Sequence, residues 1–408
     1  MRFEKINLLT CSLVLTLIAG TAIGQQQQAA HRFRIVNDRT SFTIPFELVD
    51  NRIFVSARLN GQGPFSFILD TGGYGAISTY AAHKSGLDLG AEVQGTGAGS
   101  NVVTARETAV KDFQLGLLHI SNQDLRVFDF SDSRHVFGKR RLDGIIGLPV
   151  FERLVVRIDY IRRLITFTQP SSFHYSGHGT TVPFTLERFL PLVQANLDGI
   201  AGVFGIDTGD RSTLTLKGPF IEANRLTEKY KPLIEAITGW GIGGSIRTQV
   251  VRTQRFSFSG FQIDDPVTRF SLQRAGAFAA NDAAGNMGAG ALKQFTVTFD
   301  YSRRQIIFEK NSLYGRRDDY DRSGMWISES LDGKNFEITD VVANGPANVA
   351  GLKVGDKILS IDGQKTKTLP LLEARIKLKS SAPGHVVRMV VQSDTGQRRV
   401  DVILRDLV

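Results

Sequence analysis

A mainly β chain is predicted: two homologous β-barrel lobes related by a pseudo-twofold axis, followed by a small α+β module. Three observations lead there. Asp-Thr-Gly is written twice, as SFILDTGG around Asp70 and VFGIDTGD around Asp207, each after an apolar run. The two copies lie inside longer segments that match each other. After Glu309 the composition changes, through the charged run GRRDDYDRSG, to a different kind of module.

The leading element is an address rather than a folded part. Arg2 and Lys5 make a basic start, Ile6 to Ile18 an apolar stretch, and Ala19 to Gly24 a small-residue cleavage region. This reads as a secretory signal peptide, so export to the periplasm or beyond is expected, with no transmembrane helix in the mature chain. The apolar stretch falls short of the roughly 20 residues a membrane span needs. Cys11 is the one cysteine and lies inside this leader, which leaves no disulfide and no Cys-based metal site in the mature protein.

The repeat is legible on both sides of each Asp-Thr-Gly. Pro45 precedes Asp70 by 25 residues and Pro183 precedes Asp207 by 24. Asn60-Gly61 and Asp198-Gly199 lie between, and such pairs favour a type I′ hairpin because both central residues need positive φ. Each Asp-Thr-Gly therefore ends the second strand of a hairpin. Downstream, Gly147 to Asp159 and Gly288 to Asp300 both span 12 residues, and Tyr-x-Arg-Arg follows each Asp. Asp159 and Asp300 read as turn acids, and Asp143 has Ala284 as its counterpart. The stretch from Phe220 to Ile237 has apolar positions at helical spacing and predicts a lobe-packing helix.

Two carboxyls brought together by such a duplication can share one proton, because both cannot ionise at close range. The ionised member can take a proton from a water between them while the neutral member hydrogen-bonds a scissile carbonyl. Thr71 and Thr208 carry hydroxyls able to bond across the axis, and Gly72 and Gly209 permit close approach from the other half.

These residues resemble the aspartic peptidases of the pepsin and retroviral-protease group. The resemblance implies acid-protease lobes with Asp70 and Asp207 as the catalytic pair acting on a polypeptide substrate, and no cofactor. It also implies glycine-tipped flaps, for which Gly97 and Gly99 in the first half and Gly243 and Gly244 in the second are suitably placed. Ile145-Ile146-Gly147 fits the family's apolar-apolar-Gly element, and Asn286-Met287-Gly288 matches it less well. Two residues depart from the pattern after Asp-Thr-Gly. Gly73 removes a possible hydrogen bond to the outer oxygen of Asp70. Asp210 adds a third acid that would raise the pair's proton affinity, or else turn to solvent or to Arg211. A catalytically inactive, peptide-binding scaffold is the alternative that these departures keep open.

The tail, from Pro346 through GLKVGDKILSIDG to Gly363, resembles bacterial PDZ domains. The resemblance implies a peptide or protein ligand added as a strand, with Gly324, Met325, Trp326 and Ile327 as the carboxylate-binding loop and Leu369 to Leu378 as the groove helix. The expected division is 1–24 signal peptide, 25–170 first lobe, 171–310 second lobe, 311–323 charged linker and 324–408 PDZ domain. The net charge of +9 is scattered, without the basic and aromatic interleaving of a nucleic-acid binder, so no nucleic acid is expected. His174 and His178 are separated by glycines that break any helix able to align them, so no metal is expected.

Overall fold

The computed structural model describes residues 32–231 and 234–408; the leader lies outside the described residues. The chain is mainly β, with three sheets building the region up to Lys310 and a fourth building the tail.

Each Asp-Thr-Gly is delivered by the same local construction. Strands Arg52–Leu59 and Gln62–Leu69 form the first hairpin, and Leu190–Leu197 and Ile200–Asp207 the second. Their turns place Asn60, Gly61, Asp198 and Gly199 at positive φ, as a type I′ turn requires. Beside the first motif strand runs Gly144–Ile146, parallel, with Ile146 opposite Leu69. Beside the second runs Gly285–Gly288, also parallel, with Gly288 opposite Asp207. Gly75–Ser78 and Leu214–Leu216 then pair antiparallel with these short strands. Glycine is forced on the short strands by crowding: a methyl at Gly147 would strike the Gly73 carbonyl, and one at Gly288 the Ser212 carbonyl.

A six-stranded sheet joins the halves. Its order is Thr180–Pro183, Gln305–Lys310, Phe295–Asp300, Val155–Asp159, Leu164–Thr168 and Ser41–Pro45. Three strands come from each half. The pseudo-twofold passes between Val155–Asp159 and Phe295–Asp300, which pair antiparallel with Ile158 opposite Val297. One hydrophobic core runs through both lobes, including Phe67, Phe151, Phe204 and Phe299. Each fully buried phenylalanine contributes about 1.5–3 kcal/mol of transfer free energy, so this continuity ties the lobes together. Asp159 and Asp300 accept backbone N–H bonds from Arg162 and Arg303 in their own turns.

The tail forms a separate sheet with its own core around Phe336, Ile338, Ile358 and Val391. Met325–Glu329 is an edge strand of that sheet, and helix Leu371–Ser380 packs beside it.

The long helix expected over Phe220 to Ile237 does not form. Two short helices, Gly218–Ala223 and Leu226–Lys229, are followed by strand Ile234–Gly241. Arg225, at φ 49°, breaks the helical path between them. Pro232 cannot supply a helical N–H, and the β-branched Ile234, Ile237 and Thr238 favour a strand. The charged segment after Lys310 is no free linker either. The Tyr314 hydroxyl bonds the Gln262 carbonyl, and Asp318 bonds Thr213 and Arg252.

Candidate active site

The two Asp-Thr-Gly loops meet on the pseudo-twofold axis and are locked by four crossed hydrogen bonds. The backbone N–H of Thr71 donates to Thr208 Oγ1 at 3.0 Å, and that of Thr208 to Thr71 Oγ1 at 3.0 Å. Each hydroxyl then donates to the opposite strand, Thr71 to the Ile206 carbonyl at 2.7 Å and Thr208 to the Leu69 carbonyl at 2.9 Å. Both threonines are completely buried. Every donor and acceptor in this crossed set is satisfied, as a dry site demands.

The lock brings the carboxyls of Asp70 and Asp207 close enough for the charge of one to act on the other. Gly72 and Gly209 make this possible. A methyl at Gly72 would sit 3.1 Å from the Asp207 carboxyl, and one at Gly209 would collide with that of Asp70. The inner oxygens are held by backbone amides: Gly72 N–H to Asp70 Oδ1 at 2.7 Å, and Gly209 N–H to Asp207 Oδ1 at 2.9 Å.

Beyond this the halves are not alike. Asp207 accepts two more N–H bonds, from the Asp210 amide at 3.1 Å and from Asn286 Nδ2, which reaches its outer oxygen at 2.8 Å. The corresponding space beside the outer oxygen of Asp70 is lined by Gly73 and Ile145, which offer no side-chain donor. Sequence comparison of the halves makes Asn286 a flaw in an apolar-apolar-Gly element. Its place opposite Gly205, one strand over from the motif, makes it a ligand of the second carboxylate. Strand register is the signal that could have found it.

Burial pushes both carboxyls above the usual range, and it pushes Asp207 well above, with the charges of Asp70 and Asp210 adding to the effect. The three N–H donors on Asp207 act in the opposite direction, favouring its anion. Both statements hold for a coupled pair. The two ionisations belong to the pair rather than to either residue, and the raised proton affinity belongs to the second of them. One proton is then retained between the carboxyls.

Asp210 turns neither to solvent nor to Arg211. Its carboxylate accepts from Ser212 N–H and Oγ and from Thr215 Oγ1, closing its own turn. Arg211 instead pairs with buried Asp50, which also holds Arg52 at 2.9 Å. Arg52 Nε donates to the Gly209 carbonyl at 3.1 Å, so this ion cluster braces the second loop from outside.

The glycine-rich segments of the two halves touch each other. The hairpin Ile234–Gly241 and Gly244–Arg252 carries its tip at Ile242 and Gly243. Gly99 N–H donates to the Ile242 carbonyl at 2.9 Å and Asn101 N–H to the Gly243 carbonyl at 3.0 Å, while the Gly97 carbonyl accepts from Ala277 N–H. Gly243 and Gly244 have φ of 95° and 104°, which favours glycine there. Of the tail residues, Gly324, Met325 and Ile327 sit at the start of the edge strand, and Trp326 reaches out of the module to the first lobe. Trp326 Nε1 donates to the His135 carbonyl at 3.2 Å.

Comparison with known proteins finds two domains in the chain. Residues 55–150 match the family model for aspartyl proteases, and residues 316–392 match that for PDZ domains. The chain thus carries an aspartyl protease domain and a C-terminal PDZ domain. Among curated proteins it is similar to Tax1-binding protein 3 of Homo sapiens and of Mus musculus, 34% identical over 82 residues in each case. That stretch is 20% of this chain and 65% of the relative, so the chain spans just under two thirds of these relatives' length.

Proposed function

We propose that this chain is an aspartic-type endopeptidase that cleaves extended polypeptides with a water held between Asp70 and Asp207. The observation that carries the reading is the pair itself: two half-buried carboxyls brought face to face by reciprocal threonine bonds, each close against the glycine of the opposite motif. The ionised member of the pair takes a proton from the water as it attacks. The proton held by the other member moves to the carbonyl oxygen. Collapse of the tetrahedral species returns a proton to the leaving amine. A substrate strand would lie beneath the flap tips, which must part to admit it. The PDZ domain supplies a peptide-binding surface of its own. The leader would send the chain out of the cytoplasm, a point that N-terminal sequencing of the mature protein checks.

The competing reading is a protease fold retained only as a peptide-binding scaffold. Its motives were the third acid at Asp210 and the altered second element. The turn bonds of Asp210 and the Asn286 bond to Asp207 favour the enzyme instead. The test uses purified full chain with an unfolded protein substrate over an acid-to-neutral pH series. A hydroxyethylene transition-state mimic should block cleavage, and Asp70→Asn or Asp207→Asn should each reduce it at least ~1,000-fold, the scale of losing an acid–base partner. Cleavage that survives both substitutions contradicts the proposal.

A further inference from the structure

PDZ domains take peptides along an edge strand beside a helix, and in this chain that place is already filled. The edge strand is Met325–Glu329 and the helix is Leu371–Ser380. Between them sits a turn of the first lobe, the short helix Arg134–Phe137 and its cap Gly138. The His135 carbonyl accepts from Trp326 Nε1, from Ser328 Oγ at 3.4 Å and from Arg375. Arg375 also donates to the Val136 carbonyl at 3.0 Å and back across the groove to the Ile327 carbonyl, an edge acceptor that an added strand would use. A methyl at Gly138 would lie 3.2 Å from Leu371 Cβ, so the turn touches both walls. Lys139 closes the far end on Glu329 at 3.4 Å.

We propose that residues 134–139 of the first lobe are an internal occupant of the PDZ groove, and that an extended peptide ending in a free carboxylate competes with them and thereby releases the second flap. The inference rests on the protease reading only for its consequence in cleavage.

Two observations select the partner. Arg375 is a half-buried guanidinium that donates to the neutral carbonyls of His135, Val136 and Ile327, and a carboxylate would give it a charge-assisted pair. Two amides of the loop that would hold a peptide terminus are already engaged, Gly324 N–H by Asp321 Oδ1 and Met325 N–H by Ser323 Oγ at 3.3 Å. Arg375 is the cation in the groove that can read the charge. Leu371, Leu372 and Trp326 supply apolar walls for the residue behind the carboxylate.

Two further observations make the contact reversible and consequential. Buried polar atoms without partners gather at this junction: His135 Nδ1, Arg134 Nε, Trp240 Nε1 and Arg211 Nε. Opening the contact would expose these atoms to bulk water, which lowers the cost of parting it. Val136 and Phe137 are rooted among Phe54 and Ile68 of the lobe, so the PDZ domain is what lifts away. The same domain holds the second flap. Asp340 accepts from Ile237 N–H and from Arg247, each at 2.6 Å, and Trp240 of that flap stacks on His135 at 4.1 Å. That flap in turn holds Gly99 and Asn101 of the first. Groove, second flap and first flap form one contiguous chain of contacts.

The test is amide hydrogen exchange on the full chain, with a pool of nine-residue peptides ending in Leu, Val, Ile or Phe, as free acids and as C-terminal amides. Binding is followed separately by calorimetry. The free-acid pool should raise exchange at least tenfold at Gly99, Asn101 and Ile237, and the amidated pool should not. Arg375→Met should show the raised exchange without peptide; Asp340→Asn should do the same at Ile237, should the first variant fold poorly. Free-acid peptides that bind without changing flap exchange, equal action of the amides, or no binding by any pool would each overturn the inference. Exchange that responds while no substrate is cut would leave it standing and refute the protease reading instead.

Discussion

Asn286 and Asp210 flank the same carboxylate and act on it with opposite sign. The Asn286 amide stabilises the Asp207 anion through a hydrogen bond, whereas the Asp210 charge opposes ionisation of the pair. Asn286→Leu keeps the volume and loses the donor, so the acid limb of the pH–rate profile should move to higher pH. Losing one hydrogen bond to a charge should also lower kcat about tenfold, equivalent to ~1.5 kcal/mol. Asp210→Asn should move the basic limb to lower pH, because removing the negative charge eases the second ionisation. A pH series on the two variants checks both signs, and shifts in the same direction would contradict the asymmetry. Reading Asn286 from the sequence as a mere flaw in a repeat missed this. A repeat shows what two halves share, and the catalytic asymmetry lies in what they do not.

Among the elements, the motif hairpins were the most legible. Asn60-Gly61 and Asp198-Gly199 announce their turns because positive φ at two successive positions restricts residue choice. The glycines at 97, 99, 243 and 244 announce loops, but not that the loops bond to each other. That contact depends on the relative placement of the lobes, which no local pattern encodes. The segment from Phe220 to Ile237 misled for a related reason. Its apolar spacing suits a helix, but Arg225 breaks it and the strand beyond is recruited by pairing with Gly244–Arg252. A Cβ on Gly99 would collide with the Gly243 backbone. Gly99→Ala should therefore keep the flaps from meeting, lowering kcat/KM about tenfold with little change in thermal stability, since lid closure gates the reaction and not the fold. Steady-state kinetics beside a melting curve checks this; an unchanged kcat/KM would show that tip contact is irrelevant to turnover.

At the scale of the whole molecule, ionisable groups buried between the modules make stability depend on pH in two directions. Burial alone would raise Asp50, but Arg211 and Arg52 overrule it and hold the carboxyl at about 2 against an ordinary 3.8. A depressed acid contributes stability above its unfolded value, and that contribution is lost as pH falls from about 4 to about 2. The shift corresponds to about 2–3 kcal/mol. The dyad has the reverse sign: its raised proton affinity favours the folded state at low pH, and that advantage fades as pH rises through the raised value. Asp50→Asn should therefore flatten the acid side of a plot of unfolding free energy against pH and leave the neutral side sloping. The bilobal plan and the tail module were legible because duplication and the GLKVGDKILSIDG run are local patterns. The insertion of the first lobe's turn into the PDZ groove was not, because residues 134–139 carry no mark of their partner. The central claim is that Asp70 and Asp207 hold a single proton between them. Its most direct test is a carboxyl-carbon NMR titration of the two residues from about pH 3 to about pH 8, a range that brackets ordinary carboxylates. The account predicts two separated steps shared by both signals, the upper one well above the ordinary carboxylate range, collapsing to one step in Asp207→Asn. Two independent titrations near the ordinary value would contradict it.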